Sequence, residues 1–218
     1  MSSSLGPIHY LMYEKIKFQD KITERLLSED KLNELNKIMP PVPLDNLKDI
    51  LDQDNIHGFL SAKIDVVESR LAYAINNGEN IYEKAYEFGR EIAPDKLESN
   101  EEIFDFVNKI ILDGMPCDHA LTAAVDANGD LNLILNVNTH KKYEDNPLEI
   151  NPEDSLDNSC AGEHDHDDHE SFHVQENVEI NANNSDSKYL KLREELLKGF
   201  LENSNHDVKR HGSNFIIK

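Results

Sequence analysis

The sequence predicts an α+β fold, with a helical, four-helix-bundle-like N-terminal half followed by a small α+β C-terminal half. Three features carry that prediction. Apolar residues recur at spacings of three or four through most of the first 112 residues, the period of an amphipathic helix. Between Leu121 and Val137 the period drops to two around Asn128-Gly129, the signature of a β-hairpin. Residues 144–187 hold no sustained period and form an acidic, histidine-rich loop.

Pro7 suits a first helical turn, where its missing N–H costs nothing, and opens a helix over 7–28. Ile8, Leu11, Met12, Ile16, Ile22, Leu26 and Leu27 fall roughly on one face of it. Ser28 is the N-cap of a second helix to residue 38, ahead of Glu29 and Asp30, and Pro40-Pro41-Val42-Pro43 stops it. A short helix covers 44–51. Asp54-Asn55 opens a long helix over 56–76, striped by Leu60, Ile64, Val67, Leu71 and Ile75 and closed by Asn77-Gly78. A further helix spans 81–92 and ends at Ala93-Pro94. Ser99 or Asn100 caps the next, 101–112, with Gly114 beyond its end.

After Pro116 the hairpin takes residues 121–125 and 131–137, with Leu131, Leu133, Leu135 and Val137 alternating against Asn132, Ile134 and Asn136. Val174, Val178 and Ile180 suit a short strand. Residues 187–202 form an amphipathic helix on Tyr189, Leu190, Leu192, Leu196, Leu197, Phe200 and Leu201, and residues 214–217 a terminal strand. The chain therefore divides into a helical bundle, 1–96, and a small α+β region, 97–218, that contains the loop 144–187. One internal repeat aligns Ile8-His9 and Lys15-Ile16 with Ile56-His57 and Lys63-Ile64. Two equivalent helices of a bundle would run the same way and place His9 and His57 at one end.

Net charge is −21, which repels nucleic acid and anionic membrane surfaces. No apolar run approaches the ~20 residues that span a bilayer. The N-terminus has neither the basic stretch nor the long apolar stretch of a signal peptide. Two cysteines, Cys117 and Cys160, make no disulfide framework, and the expected location is the cytosol, where both are thiols.

The strongest chemical signal lies in Cys160-Ala161-Gly162-Glu163-His164-Asp165-His166-Asp167-Asp168-His169-Glu170-Ser171-Phe172-His173. Four of the chain's ten histidines fall in ten residues, and no Lys or Arg occurs between Lys142 and Lys188 while fourteen acids do. Imidazole and thiolate are the groups that best hold Zn²⁺, Ni²⁺ or Fe²⁺. The expected ligands are His164, His166, His169 and His173, completed by Cys160 or by Asp165, Asp167 and Asp168, with Zn²⁺ and Ni²⁺ ahead of Fe²⁺. A second candidate site joins His9 and His57 to Cys117 and His119, which lie in the loop before the hairpin. Asp126 to Asp130 resembles the start of a calcium loop, but Leu131 and Val137 stand where that loop needs Gly and Glu. There is no glycine-rich phosphate loop, no His-Glu-x-x-His and no Gly-x-Ser-x-Gly.

The segments Gly6-Pro7-Ile8-His9-Tyr10-Leu11-Met12-Tyr13 and Leu112-Asp113-Gly114-Met115-Pro116-Cys117-Asp118-His119 resemble an uncharacterised protein family of low-GC anaerobic bacteria. The resemblance covers about a fifth of the chain and implies no activity. Three functions compete on the sequence: a cytosolic metal-binding protein, a helical interaction or sensory module that meets a protein partner and carries a solvated acidic loop, and a thiol-dependent enzyme using Cys117 and His119.

Overall fold

A computed structural model describes residues 5–51, 55–144, 147–148 and 187–218, with the Cys117 side chain outside that description. Eight helices and four strands are present among these residues: α1 Pro7–Leu26, α2 Glu29–Ile38, α3 Leu47–Ile50, α4 Ile56–Asn77, α5 Ile81–Ile92, α6 Asn100–Ile110, β1 Leu121–Val125, β2 Leu131–Leu135, α7 Lys141–Glu144, α8 Lys188–Phe200, β3 Val208–His211 and β4 Asn214–Ile217. The expected α+β architecture holds, with a helical N-terminal half and a small antiparallel sheet in the C-terminal half. The strand expected from Val174, Val178 and Ile180 lies outside the described residues.

Local chemistry explains most boundaries. Pro7 stands at the first position of α1, and His9 Nδ1 accepts the Gly6 N–H at 2.9 Å, so the ring caps its own helix. Ser99 and Glu102 form a reciprocal capping box at the start of α6. Asn55 Oδ1 accepts the Gly58 N–H at 3.0 Å at the start of α4. Asn80, not Gly78, takes the left-handed conformation between α4 and α5, with φ 53°. Gly78 has an ordinary φ of −75° and is small for another reason: a Cβ there would lie 2.9 Å from the Leu26 carbonyl oxygen.

α1 and α4 lie side by side. His9 meets His57 near their first turns, Asp20 pairs with Arg70 midway, and the carbonyl of Leu26 touches Gly78 past their last turns. The two helices therefore run the same way. Met12, Tyr13, Ile16, Ile56, Leu60, Ile64 and Val67 build a smaller core near their N-termini with Val42 and Leu47. Their C-terminal halves enter the larger core, where Ile22, Leu26, Leu71 and Ile75 join α5, α6, α8 and the sheet.

The sheet order is β1-β2-β4-β3, antiparallel throughout. Leu131, Leu133, Phe215 and Ile217 point into the larger core. The β1–β2 turn is tied by Asp126 Oδ1, which accepts the N–H groups of Asn128 and Asp130, and Gly129 supplies the positive φ of 89°. At the far end of the β2–β4 ladder, Asn214 Oδ1 accepts the Leu135 N–H at 3.1 Å and so replaces a backbone carbonyl. β3 is the strand that periodicity missed. Only Val208 of its four residues is buried, so it carries no readable apolar pattern. α5 and α8 cross at Gly89 and Gly199. A Cβ on Gly89 would meet the Leu196 carbonyl at 2.3 Å, and one on Gly199 would meet that of Tyr86 at 2.2 Å. No helix of the described residues is long and apolar enough to cross a membrane.

Candidate functional site

The most unusual chemistry lies where α4, α8, α7 and the Asp113–Asp118 loop converge. α4 is buried on most of its surface, so its polar residues cannot all reach solvent, and Asp65, Glu68 and Arg70 are all buried. α8 turns its apolar face inward, and Arg193 sits within that face between Tyr189 and Leu196. An ionised side chain in such a place needs partners, because desolvation costs several kcal/mol per ion on the order set by the low-dielectric interior.

The partners are present. Arg193 Nη1 and Nη2 donate to Asp113 Oδ1 and Oδ2 at 2.5 and 2.9 Å, a bidentate fork. His140 Nε2 lies 3.5 Å from the same Asp113 Oδ1, and its Nδ1 donates to Glu68 Oε2 at 2.6 Å. The His140 ring stacks on Tyr189, with centroids 3.6 Å apart and planes 25° from parallel. Three residues on, Tyr143 donates its hydroxyl to Asp65 Oδ1, and Lys142 Nζ reaches the same oxygen at 3.2 Å.

The electrostatics follow from that geometry. Burial opposes charge on His140, but the Glu68 carboxylate and Asp113 overcome it and push the imidazole up to about 9. Burial likewise opposes the Asp113 carboxylate, and Arg193 and His140 hold it well below the usual carboxylate range. Burial and the hydrogen bond to Asp65 push the Tyr143 phenol far up. The cluster at neutral pH is thus an imidazolium and a guanidinium threaded between carboxylates.

A cavity of about 390 Å³ adjoins the cluster. Asp65 and Glu68 of α4 form one wall, Gly114, Met115 and Asp118 a second, and the Val137–Tyr143 stretch a third. Glu68 Oε1 and Thr139 Oγ1, on residues of these walls, have almost no accessible surface and no hydrogen-bond partner among the described residues. Gly114 has φ 76°, and a Cβ on it would meet Asp118 Oδ2 at 2.4 Å, so this wall requires glycine. Asp118 Oδ2 accepts the Met115 N–H at 2.8 Å and fixes the single 3₁₀ turn Pro116–Asp118. A second cavity, about 330 Å³, lies on the other side of the Asp113–Met115 stretch against α1 and α6.

The sequence-predicted residues fall as follows. Cys160, His164, Asp165, His166, Asp167, Asp168, His169 and His173 lie outside the described residues. His9 and His57 do come together, with ring centroids 5.6 Å apart in an edge-on arrangement. Because His9 Nδ1 accepts the Gly6 N–H, its neutral ring carries the proton on Nε2, and a metal at Nε2 would break that cap. Cys117 contributes its backbone to the 3₁₀ turn. His119 is exposed, with φ 45°, and its carbonyl accepts from Asn136 Nδ2 at 3.0 Å. Among the described residues no group of three or more His, Cys, Asp or Glu side chains is placed to hold a metal ion.

Sequence reasoning missed Glu68, Asp113, His140 and Arg193. The signal was there for two of them. Glu68 lies four residues after Ile64 and three before Leu71, inside the apolar stripe of α4, and Arg193 occupies the same kind of position on α8. A charge in an apolar stripe demands a buried partner. Asp113 and His140 stand in loops, where no period marks them. No protein-family model, curated protein or solved structure matches this chain.

Proposed function

We propose that this protein binds a divalent transition metal, Zn²⁺ or Ni²⁺ ahead of Fe²⁺, through the segment from Cys160 to His173. The array His164, His166, His169 and His173 carries the reading, interleaved with Asp165, Asp167 and Asp168 and set in a stretch with fourteen acids and no Lys or Arg. Imidazoles and a thiolate suit these ions, and the absence of ammonium groups between Lys142 and Lys188 removes repulsion for an incoming cation. The ligands are close in sequence, so the site does not require distant elements to assemble it.

The test is titration of the full-length, untagged protein with Zn²⁺ and Ni²⁺ at pH 6 and pH 8. Protons compete with metal for imidazole, whose reference pKa is ~6.5, so affinity should climb across that range. Equal affinity at both ends removes the imidazoles as the main ligands. Replacing His164, His166, His169 and His173 together by Ala should abolish binding, and unchanged binding in that variant overturns the site.

A further inference from the structure

We propose that the proline strap Pro40-Pro41-Val42-Pro43, with Ile38 and Leu44 at its ends, is a docking site for a protein partner that presents a groove lined by Trp and Tyr and flanked by a cation. This site is separate from the metal-capturing segment and goes beyond that reading.

The strap joins α2 to α3 and is neither helix nor strand. Proline fixes its own φ near −65° and drives the residue before it into an extended conformation. Three prolines in four residues therefore hold the chain near a polyproline II helix, which has three residues per turn. Burial follows that period. Met39 is half-buried and Val42 is buried, while Pro40, Pro41, Pro43 and Leu44 are all exposed. Pro40 and Pro43 thus share one outward side of the strap, and Pro41 and Leu44 share the next, each pair ~9 Å apart along the axis. The fold also pins the strap from beneath. The Val42 N–H donates to Asp20 Oδ2 at 3.0 Å, the Tyr13 hydroxyl donates to the Pro43 carbonyl, and Arg70, itself paired with Asp20, donates to the Met39 carbonyl. A stretch held extended in this way loses little conformational entropy on binding.

The chemistry of the strap selects the partner. Ile38 and Leu44, 56% and 77% exposed, are the two most exposed large hydrophobic side chains among the described residues, and they bracket the three exposed prolines. From Met39 to Pro43 every N–H is already used: Met39 donates to the Leu35 carbonyl, Val42 donates to Asp20, and proline has none. The strap therefore lacks the donors with which a strand adds to a sheet edge. The carbonyls of Pro40, Pro41 and Val42 accept no hydrogen bond among the described residues. The matching surface combines apolar faces with donors, as Trp and Tyr do, each a flat ring beside an N–H or O–H. Asp45 is the one charged residue from Met39 to Asn46 and is exposed directly after Leu44, so its complement is a cation at the end of the groove. A second copy of this chain does not fit. It has no Trp, and Tyr10 is the one strongly exposed large aromatic side chain among the described residues.

The experiment is NMR titration of the full-length, metal-free protein, methyl-labelled at Ile, Leu and Val, with three small probes at pH 6. N-acetyl-L-tryptophanamide offers an aromatic face and a ring N–H, N-acetyl-L-leucinamide is apolar without either, and L-tryptophanamide adds a cationic amine, whose reference pKa is ~7.7–8.0. The neutral tryptophan probe should give saturable shifts at the Ile38 and Leu44 methyls with a Kd on the order of millimolar. Val137, 48% exposed, is the control and should shift less and without saturation. The leucine probe should bind about tenfold more weakly, the scale of an aromatic contact with its hydrogen bond. The cationic probe should bind severalfold tighter than its neutral counterpart, and Asp45→Asn should erase that advantage. Leu44→Asp should abolish saturation, and Pro41→Ala, which frees the backbone, should weaken binding severalfold. Both positions are exposed, so the Val137 methyls of these variants should stay where they are in the parent protein. Saturable shifts of equal size at Val137, equal affinity for the tryptophan and leucine probes, or unchanged binding in Leu44→Asp overturns the proposal. No advantage for the cationic probe overturns the cation. Shifts at Ile38 and Leu44 that follow protein concentration without any probe would place a second copy on the strap and overturn the aromatic partner.

Discussion

At neutral pH the imidazole of His140 is a cation between Glu68 and Asp113, with Arg193 gripping both oxygens of Asp113. Its folded pKa of about 9 lies above the unfolded value of ~6.5. The stabilisation it supplies is therefore complete below about pH 6.5 and is lost as pH rises through about 9. The difference corresponds to something on the order of 3 kcal/mol. Denaturant midpoints should fall between pH 7 and pH 10, and the decline should flatten in His140→Leu. Asp113 works in the opposite direction: its carboxylate is depressed, so its contribution stands above ~pH 4 and disappears on further acidification. His140→Ala leaves two buried carboxylates short of a counter-charge and should cost about 3–5 kcal/mol. Removing Glu68 as well, as His140→Leu with Glu68→Leu, should cost less than the sum of the single changes, which a double-mutant cycle measures directly.

Among the elements, the α5–α8 crossing depends most on a single atom's absence. Gly89 and Gly199 let the two backbones touch, and a methyl on either would enter the other helix's backbone. Helix propensity alone would make Gly89→Ala favourable by ~1 kcal/mol; the clash should reverse the sign and leave a net loss of about 1–3 kcal/mol. Chemical denaturation of Gly89→Ala and Gly199→Ala checks this. These glycines were invisible to a reading that treats glycine as a stop, because both lie within helical apolar periods. The elements themselves were legible where a period was long. α4, α5, α8 and β4 fall where the stripes of Leu60 to Ile75, Ile81 to Ile92, Tyr189 to Leu201 and Asn214 to Ile217 put them. The parallel run of α1 and α4 was legible too, from the matched His9 and His57. β3 and α7 were not, since four residues with one buried side chain carry no period.

For the molecule as a whole, the sequence showed its loudest chemistry in the histidine array and its quietest in the buried cluster. Composition reveals ligands that crowd together along the chain. It does not reveal Glu68 meeting His140 across 72 residues, or Arg193 meeting Asp113 across 80, because only the fold brings them into contact. Deleting residues 162–170 should leave the fold intact, since that stretch has almost no apolar surface to bury. A fall in metal-free melting temperature of more than ~8 °C, on the order of one or two kcal/mol for a chain of this size, would show that the stretch supports the core. The fold also fixes where the intervening chain departs and returns. Ser187 donates its hydroxyl to the Glu144 carboxylate, the Glu144 carbonyl accepts from Asn76, and Asn76 accepts in turn from Lys188 at 3.0 Å. Both ends are thus fastened to the end of α4 at one spot. Closure entropy alone predicts that doubling or halving the length of chain between these anchors alters closure by only ~0.6 kcal/mol. Another metal-binding sequence, or a whole reporter domain whose termini lie close together, should be exchangeable between Glu144 and Ser187 without retuning the rest of the protein.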